Sequence, residues 1–255
     1  MPKKPDHSPL LLLAASAILL CAGWLMAPFP FLIFLGLAPL FVLSDRTETD
    51  SPLLERMELV LLALGCSWVT YAVIREESIV GAIVASIVFT LAFVAHAWVW
   101  QSLGIRTGKL TLILFWLAIE YVVLKLTPET GIFLADALRL QGVWTRWTIH
   151  TGYLGGSLWI LLVNWCWYQA FLQAKSIQWS WFAVGILLLF GPAWYSYVLT
   201  ESPISRQVMN NAYGNQATQV DVAYLAHGEL VVRTAAWLST LILLFAFVKS
   251  QIKKK

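Results

Sequence analysis

The sequence predicts an all-α membrane protein, a single polytopic domain of about eight helical spans over 1–255 with both termini on the cytoplasmic side. Three observations carry that expectation. Hydrophobic residues make up 59% of the 255 positions and charged ones 12%, a balance far too apolar for a water-soluble domain of this size. The apolar residues gather into runs of about 17–25, the length that crosses ~30 Å of hydrocarbon at ~1.5 Å per residue. Nothing alternates with the two-residue period of a barrel strand, and backbone groups in lipid must be paired within their own segment, so the runs are read as helices.

The first run, near 9–26, follows Lys3 and Lys4 and so resembles a signal peptide, with Cys21 inviting a lipoprotein reading. Ile18, Leu19 and Leu20 stand where lipoprotein processing wants a small residue, and the run continues through Trp24 to Met26. A retained first span is therefore expected. The second span, near 29–43, opens at Pro28-Phe29-Pro30, where proline marks a tight turn and a helix start. Six more follow near 57–74, 79–100, 110–126, 154–173, 179–199 and 231–248.

Orientation follows from the cations between spans. With the N-terminus inside, the cytoplasmic segments hold eleven: Lys3, Lys4, Arg46, Arg56, Arg106, Lys109, Lys175, Lys249, Lys253, Lys254 and Lys255. The other side holds six: Arg75, Lys125, Arg139, Arg146, Arg206 and Arg233. The two longest loops, near 127–153 and 200–230, then face outward. The mixed-sign linker Ser44 to Glu58 reads as an ordinary solvated loop, and no internal repeat is evident.

A net charge of +3 set at chain ends and in short loops gives no basic face, so nucleic acid is not an expected partner. Cys21, Cys66 and Cys166 all sit in apolar stretches, where a thiol acts as a small hydrophobe. Cys166 has no local base and is not expected to act as a nucleophile. His7, His96, His150 and His227 lack any paired ligand spacing, so neither a metal nor another cofactor is expected. His96 reads as a packing histidine, and the tryptophan-rich stretches read as anchors at the membrane interface.

One residue is out of place: Glu120 lies within a span, where a carboxylate is costly unless it is paired, neutral or facing a polar cavity. It is the main candidate site residue. In the outer loop, Ile132 to Leu140 is apolar yet carries Asp136 and Arg139, and Trp144, Trp147, His150 and Tyr153 follow. Such a segment suits the headgroup layer, either as a plain connector or as an element recognising lipid or a partner. Thr151-Gly152-Tyr153-Leu154-Gly155-Gly156-Ser157 lacks the lysine of a phosphate loop, and Gly152, Gly155 and Gly156 read as a packing turn ahead of a span containing Asn164.

That stretch, with Leu162-Val163-Asn164 after it, resembles the segment of bacterial apolipoprotein N-acyltransferases in which a Gly-rich turn opens a span containing Val-Asn. Leu35-Gly36-Leu37-Ala38-Pro39-Leu40 resembles that family's second span, Gly65 with Trp68 its third, and Ala118-Ile119-Glu120-Tyr121 the Glu-aromatic pair of its fifth. The resemblance implies eight spans, both ends inside, in a bacterial inner membrane. It also implies a nitrilase-like domain with a Glu-Lys-Cys triad between the last two spans. Here the interval 200–230 contains no Lys and no Cys, while Val222 to Glu229, followed by Arg233, looks like that domain's closing stretch. The expectation is a scaffold without its catalytic insert: a non-catalytic module binding membrane phospholipid, a lipoprotein or another envelope protein. The alternatives are an intramembrane acyltransferase using Glu120 with His150 or His227, and a structural subunit of an envelope complex.

Overall fold

The computed structural model describes residues 8–26, 30–44, 53–103, 110–127, 132–139, 142–173, 176–201 and 219–253, with side chains of the last segment from Leu230 onward. The described residues are helical, with no strand among them. The elements are α1 (Pro9–Leu25), α2 (Ile33–Gly36), α3 (Ala38–Ser44), α4 (Leu53–Arg75), α5 (Ile79–Leu103), α6 (Leu110–Leu126), α7 (Gly155–Trp167), α8 (Trp179–Val198) and α9 (Gln219–Lys253). Among the described residues, four stretches are long and apolar enough to cross a membrane: Leu53–Arg75, Ile79–Leu103, Trp179–Val198 and Leu230–Ile252. α1 and α6, at 17 residues each, reach about 26 Å. A π-helical turn, Tyr168–Leu172, extends the 13-residue α7 to the length read from sequence.

The surface is inside out relative to a water-soluble bundle. Ile79, Val80, Ile83, Val84, Ile87 and Leu91 make α5 apolar on its exposed side, and Leu241, Leu244, Phe245 and Val248 do the same for α9. Exposed apolar area on that scale calls for lipid rather than water. Inside, α4, α5 and α6 pack in sequence with α1 against α4, while α9 lies on α5 and α6 and α7 on α8. Aromatic rings link the first four: Trp24 to Trp68 at 5.5 Å, Trp68 to Phe89 at 5.6 Å, and Phe89 stacked on Trp116 at 4.6 Å.

Four expectations need correction. The second span is not one helix. Its described part is two short helices, α2 and α3, broken at Leu37 and enclosed by α1 and α7; Pro39 supplies no amide to the helix and disfavours helical geometry just before it. The interval 200–230 is not all loop, because α9 starts at Gln219. Ile132 to Leu138 is not a surface connector: Phe133, Leu134, Ala135 and Asp136 are buried, the last three forming part of the short 3₁₀ turn Leu134–Leu138 with Leu138. The tryptophans are not all anchors, since Trp68, Trp116 and Trp159 are core residues while Trp179, Trp194 and Trp237 are exposed. Pro28-Phe29, most of the charged linker, 202–218 and the side chain of His227 lie outside the described residues.

Close approach explains two glycines. A Cβ on Gly36 would meet the Leu20 side chain at 2.5 Å, and one on Gly23 would meet the Ile33 amide nitrogen at 2.8 Å. These contacts hold α1 tightly against α2. At the far end, Pro192 inside α8 gives no amide to Leu188 four residues earlier. The indole of Trp159 in α7 donates to that carbonyl instead, at 2.6 Å.

Candidate functional site

Breaks in helices and inward turns leave backbone groups that lipid cannot satisfy, so a neighbouring side chain has to. The buried polar residues of this chain sit where those breaks are. In α6, Glu120 is fully buried and its Oε1 accepts the Leu134 amide at 2.8 Å and the Trp116 indole at 3.2 Å. The Ser157 hydroxyl oxygen, at the start of α7, accepts the Ala135 amide at 2.9 Å, and the same hydroxyl stands beside the Glu120 carboxyl. Oε2 has no other donor within hydrogen-bond geometry among the described residues. Asp136 closes the turn on itself, its Oδ2 accepting the Phe133 amide at 2.8 Å while Oδ1 takes the Tyr153 hydroxyl.

The glycines ahead of α7 let this happen. Gly152 has φ 77°, a left-handed backbone that suits glycine. Gly156 packs on the inward turn, where a Cβ would meet the Leu138 side chain at 3.1 Å and Ala135 at 3.3 Å.

Two turns further along α7, Asn164 does a second piece of the same work. Its Oδ1 accepts the amides of Leu37 at 2.8 Å and Ala38 at 3.1 Å, and its Nδ2 donates to the carbonyls of Ile33 and Ile160, both at 2.9 Å. In an unbroken helix the Leu37 amide would bond Ile33 directly. Here the carboxamide is inserted between them, and all four of its hydrogen-bond positions are filled. Ser16 of α1 completes the repair by donating to the Gly36 carbonyl at 2.5 Å.

The other candidates stand apart from this cluster. Arg139 is exposed. The chain from Trp144 to His150 clasps the end of α8: the Trp147 amide donates to Ser196 at 3.1 Å, Arg146 to the Leu199 carbonyl at 2.5 Å, and His150 lies 3.2 Å from the Tyr195 hydroxyl. Trp144 packs against the core edge and Trp147 edge-on to Trp159 at 5.7 Å. Among the described residues none of Glu120's hydrogen-bond partners is a histidine, and His150 is paired with Tyr195 rather than with Glu120. His96 bonds Thr111 at 2.6 Å and ties α5 to α6.

No protein-family model, curated protein or solved structure matches this chain. The chemistry of the cluster is that of acceptors fixed on backbone amides. Cys166 is buried in α7, and no group of three His, Cys, Asp or Glu able to hold a metal ion occurs among the described residues.

Sequence reasoning passed over Asp136 and Ser157. Asp136 carries a readable signal, a carboxylate inside an apolar run, which an interfacial reading of 132–140 absorbs. Ser157 gave none, because its role depends on a turn 22 residues earlier. It also passed over a hollow of about 340 Å³ between α5, α6 and α9, to which neither Glu120 nor Asn164 contributes.

Proposed function

We propose that this chain is a non-catalytic membrane module on the scaffold that its resemblance to bacterial apolipoprotein N-acyltransferases implies, and that it binds phospholipid in the inner membrane. On this reading it crosses eight times with both ends cytoplasmic: the four long helices, the shorter α1, α6 and α7 with its π turn, and the α2–α3 pair as the remaining pass. The observation that carries the non-catalytic part is the use of the buried acceptors. Glu120, Asp136, Ser157 and Asn164 each end on backbone amides, and the hydroxyl beside the Glu120 carboxyl, that of Ser157, is itself held on the Ala135 amide, a use that supports the turn rather than nucleophilic attack.

The purified chain should accordingly transfer no acyl group from phospholipid to the amine of a diacylated lipoprotein peptide. Cys66→Ala and Cys166→Ala should make no difference. A transfer activity that both variants lost would overturn the reading, because it would restore a thiol mechanism.

Orientation is tested separately by thiol labelling in intact cells and inverted vesicles. Ser250→Cys should react from the cytoplasmic side and Ser205→Cys from the opposite one. Labelling of Ser205→Cys from the cytoplasmic side alone would reverse the topology and remove the family comparison with it.

A further inference from the structure

Hydroxyls in apolar helices normally bond back to a carbonyl one turn earlier. Ser86, Thr90, Thr234 and Thr240 all do so, at 2.6–3.0 Å. Ser239 of α9 does not: its side chain is 3% exposed and its Oγ has no hydrogen-bond partner among the described residues. It lies in the wall of the hollow between α5, α6 and α9, whose other walls include Leu91, Ala95, Phe115, Val122 and Leu243. That hollow is apolar, about 340 Å³, and within the size range of small-molecule sites. A second hollow of about 320 Å³, walled by Tyr121, Arg233 and Trp237, shares Ala236 and Thr240 with it.

Cations collect at one end. Arg233 is exposed at the mouth of the second hollow, and Lys125 in the last turn of α6 stands 5.4 Å from the centroid of the Tyr121 ring. Trp237, 63% exposed, completes an aromatic and cationic rim of the kind that meets lipid headgroups. Ser239 lies six residues beyond Arg233, about 9 Å deeper along the helix. A rim of positive charge, a buried hydroxyl below it and an apolar hollow around that hydroxyl match, in order, a phosphate, an ester and an acyl chain.

We propose that the space between α5, α6 and α9 holds one acyl chain of an anionic phospholipid, with its phosphate on Arg233 and Lys125 and an ester carbonyl on the Ser239 hydroxyl. This rests on the lipid-binding reading above and names the lipid class and the residues that select it.

The test is native mass spectrometry of the full chain in mild detergent, titrated with phosphatidylglycerol, with phosphatidylcholine of the same chains, and with glycerol 3-phosphate. Phosphatidylglycerol should bind at least about fivefold more tightly than phosphatidylcholine. Arg233→Gln should weaken phosphatidylglycerol by about fivefold, the factor expected for one cation near the headgroups, and phosphatidylcholine, whose phosphate is offset by its own ammonium, by less. Ser239→Leu, which fills the hollow, should weaken both lipids. If that variant does not fold, the exposed Arg233→Gln decides alone. Equal binding of the two lipids, unmoved by Arg233→Gln, would sink the site while leaving lipid binding intact. Adducts with neither lipid would sink the lipid-binding reading itself, and glycerol 3-phosphate binding as tightly as phosphatidylglycerol would remove the acyl chain from the proposal.

Discussion

Asn164→Leu is expected to leave little folded protein. The leucine fits the volume but strands the Leu37 and Ala38 amides and the Ile33 carbonyl in the middle of the bundle, where no water can replace the carboxamide. Each buried group left without a partner costs about 1–3 kcal/mol, so the three together approach the whole stability of a typical domain, about 5–15 kcal/mol. Asn164→Asp should fall between leucine and the native residue, because it keeps the acceptor for both amides and loses the donor to Ile33. Monodisperse yield and thermal unfolding in one mild detergent check this, with Leu241→Ala as a lipid-facing control. An Asn164→Leu protein that melts within a few degrees of the native chain would mean that the break at Leu37 is satisfied in some other way.

The same residue shows what the sequence could and could not yield. Apolar run length matches the helix bounds of α1, α5, α6 and α8 to within a few residues, because a continuous apolar helix is set by its own composition. The run near 29–43 has that composition too, and its break was hidden: the side chain that makes a broken helix tolerable lies 127 positions away from Leu37. Glu120 stood out because a carboxylate in a span violates a local rule. Asp136, equally buried, is hidden because the run around it is too short and too charged to read as a helix packed in the core. The start of α9 was misplaced for a related reason, since Gln219 to Glu229 is too polar to read as a span although it continues the helix. Ser239 could not be singled out at all, because a serine that bonds back along its helix and one that does not look the same in sequence.

Glu120 gives the second large effect, and its two substitutions separate the roles a buried carboxyl can have. Glu120→Leu removes the acceptor of the Leu134 amide and the Trp116 indole, both buried, and so frees the inward turn 132–138 from α6. Two stranded donors cost about 2–6 kcal/mol, which corresponds to a fall in melting temperature of roughly 4–24 °C for a chain of this length. Glu120→Gln keeps an oxygen in the same place for both donors and turns its amide toward the Ser157 hydroxyl oxygen, so it should fold with nearly native stability. Lipid retention should follow folding in both variants, because Glu120 does not line the hollow between α5, α6 and α9. Thermal unfolding and lipid content measured on the same samples decide the matter. A glutamine variant that folds normally yet loses its lipid would show that the carboxylate charge serves binding, and a leucine variant of unchanged stability would show that the turn is held without Glu120.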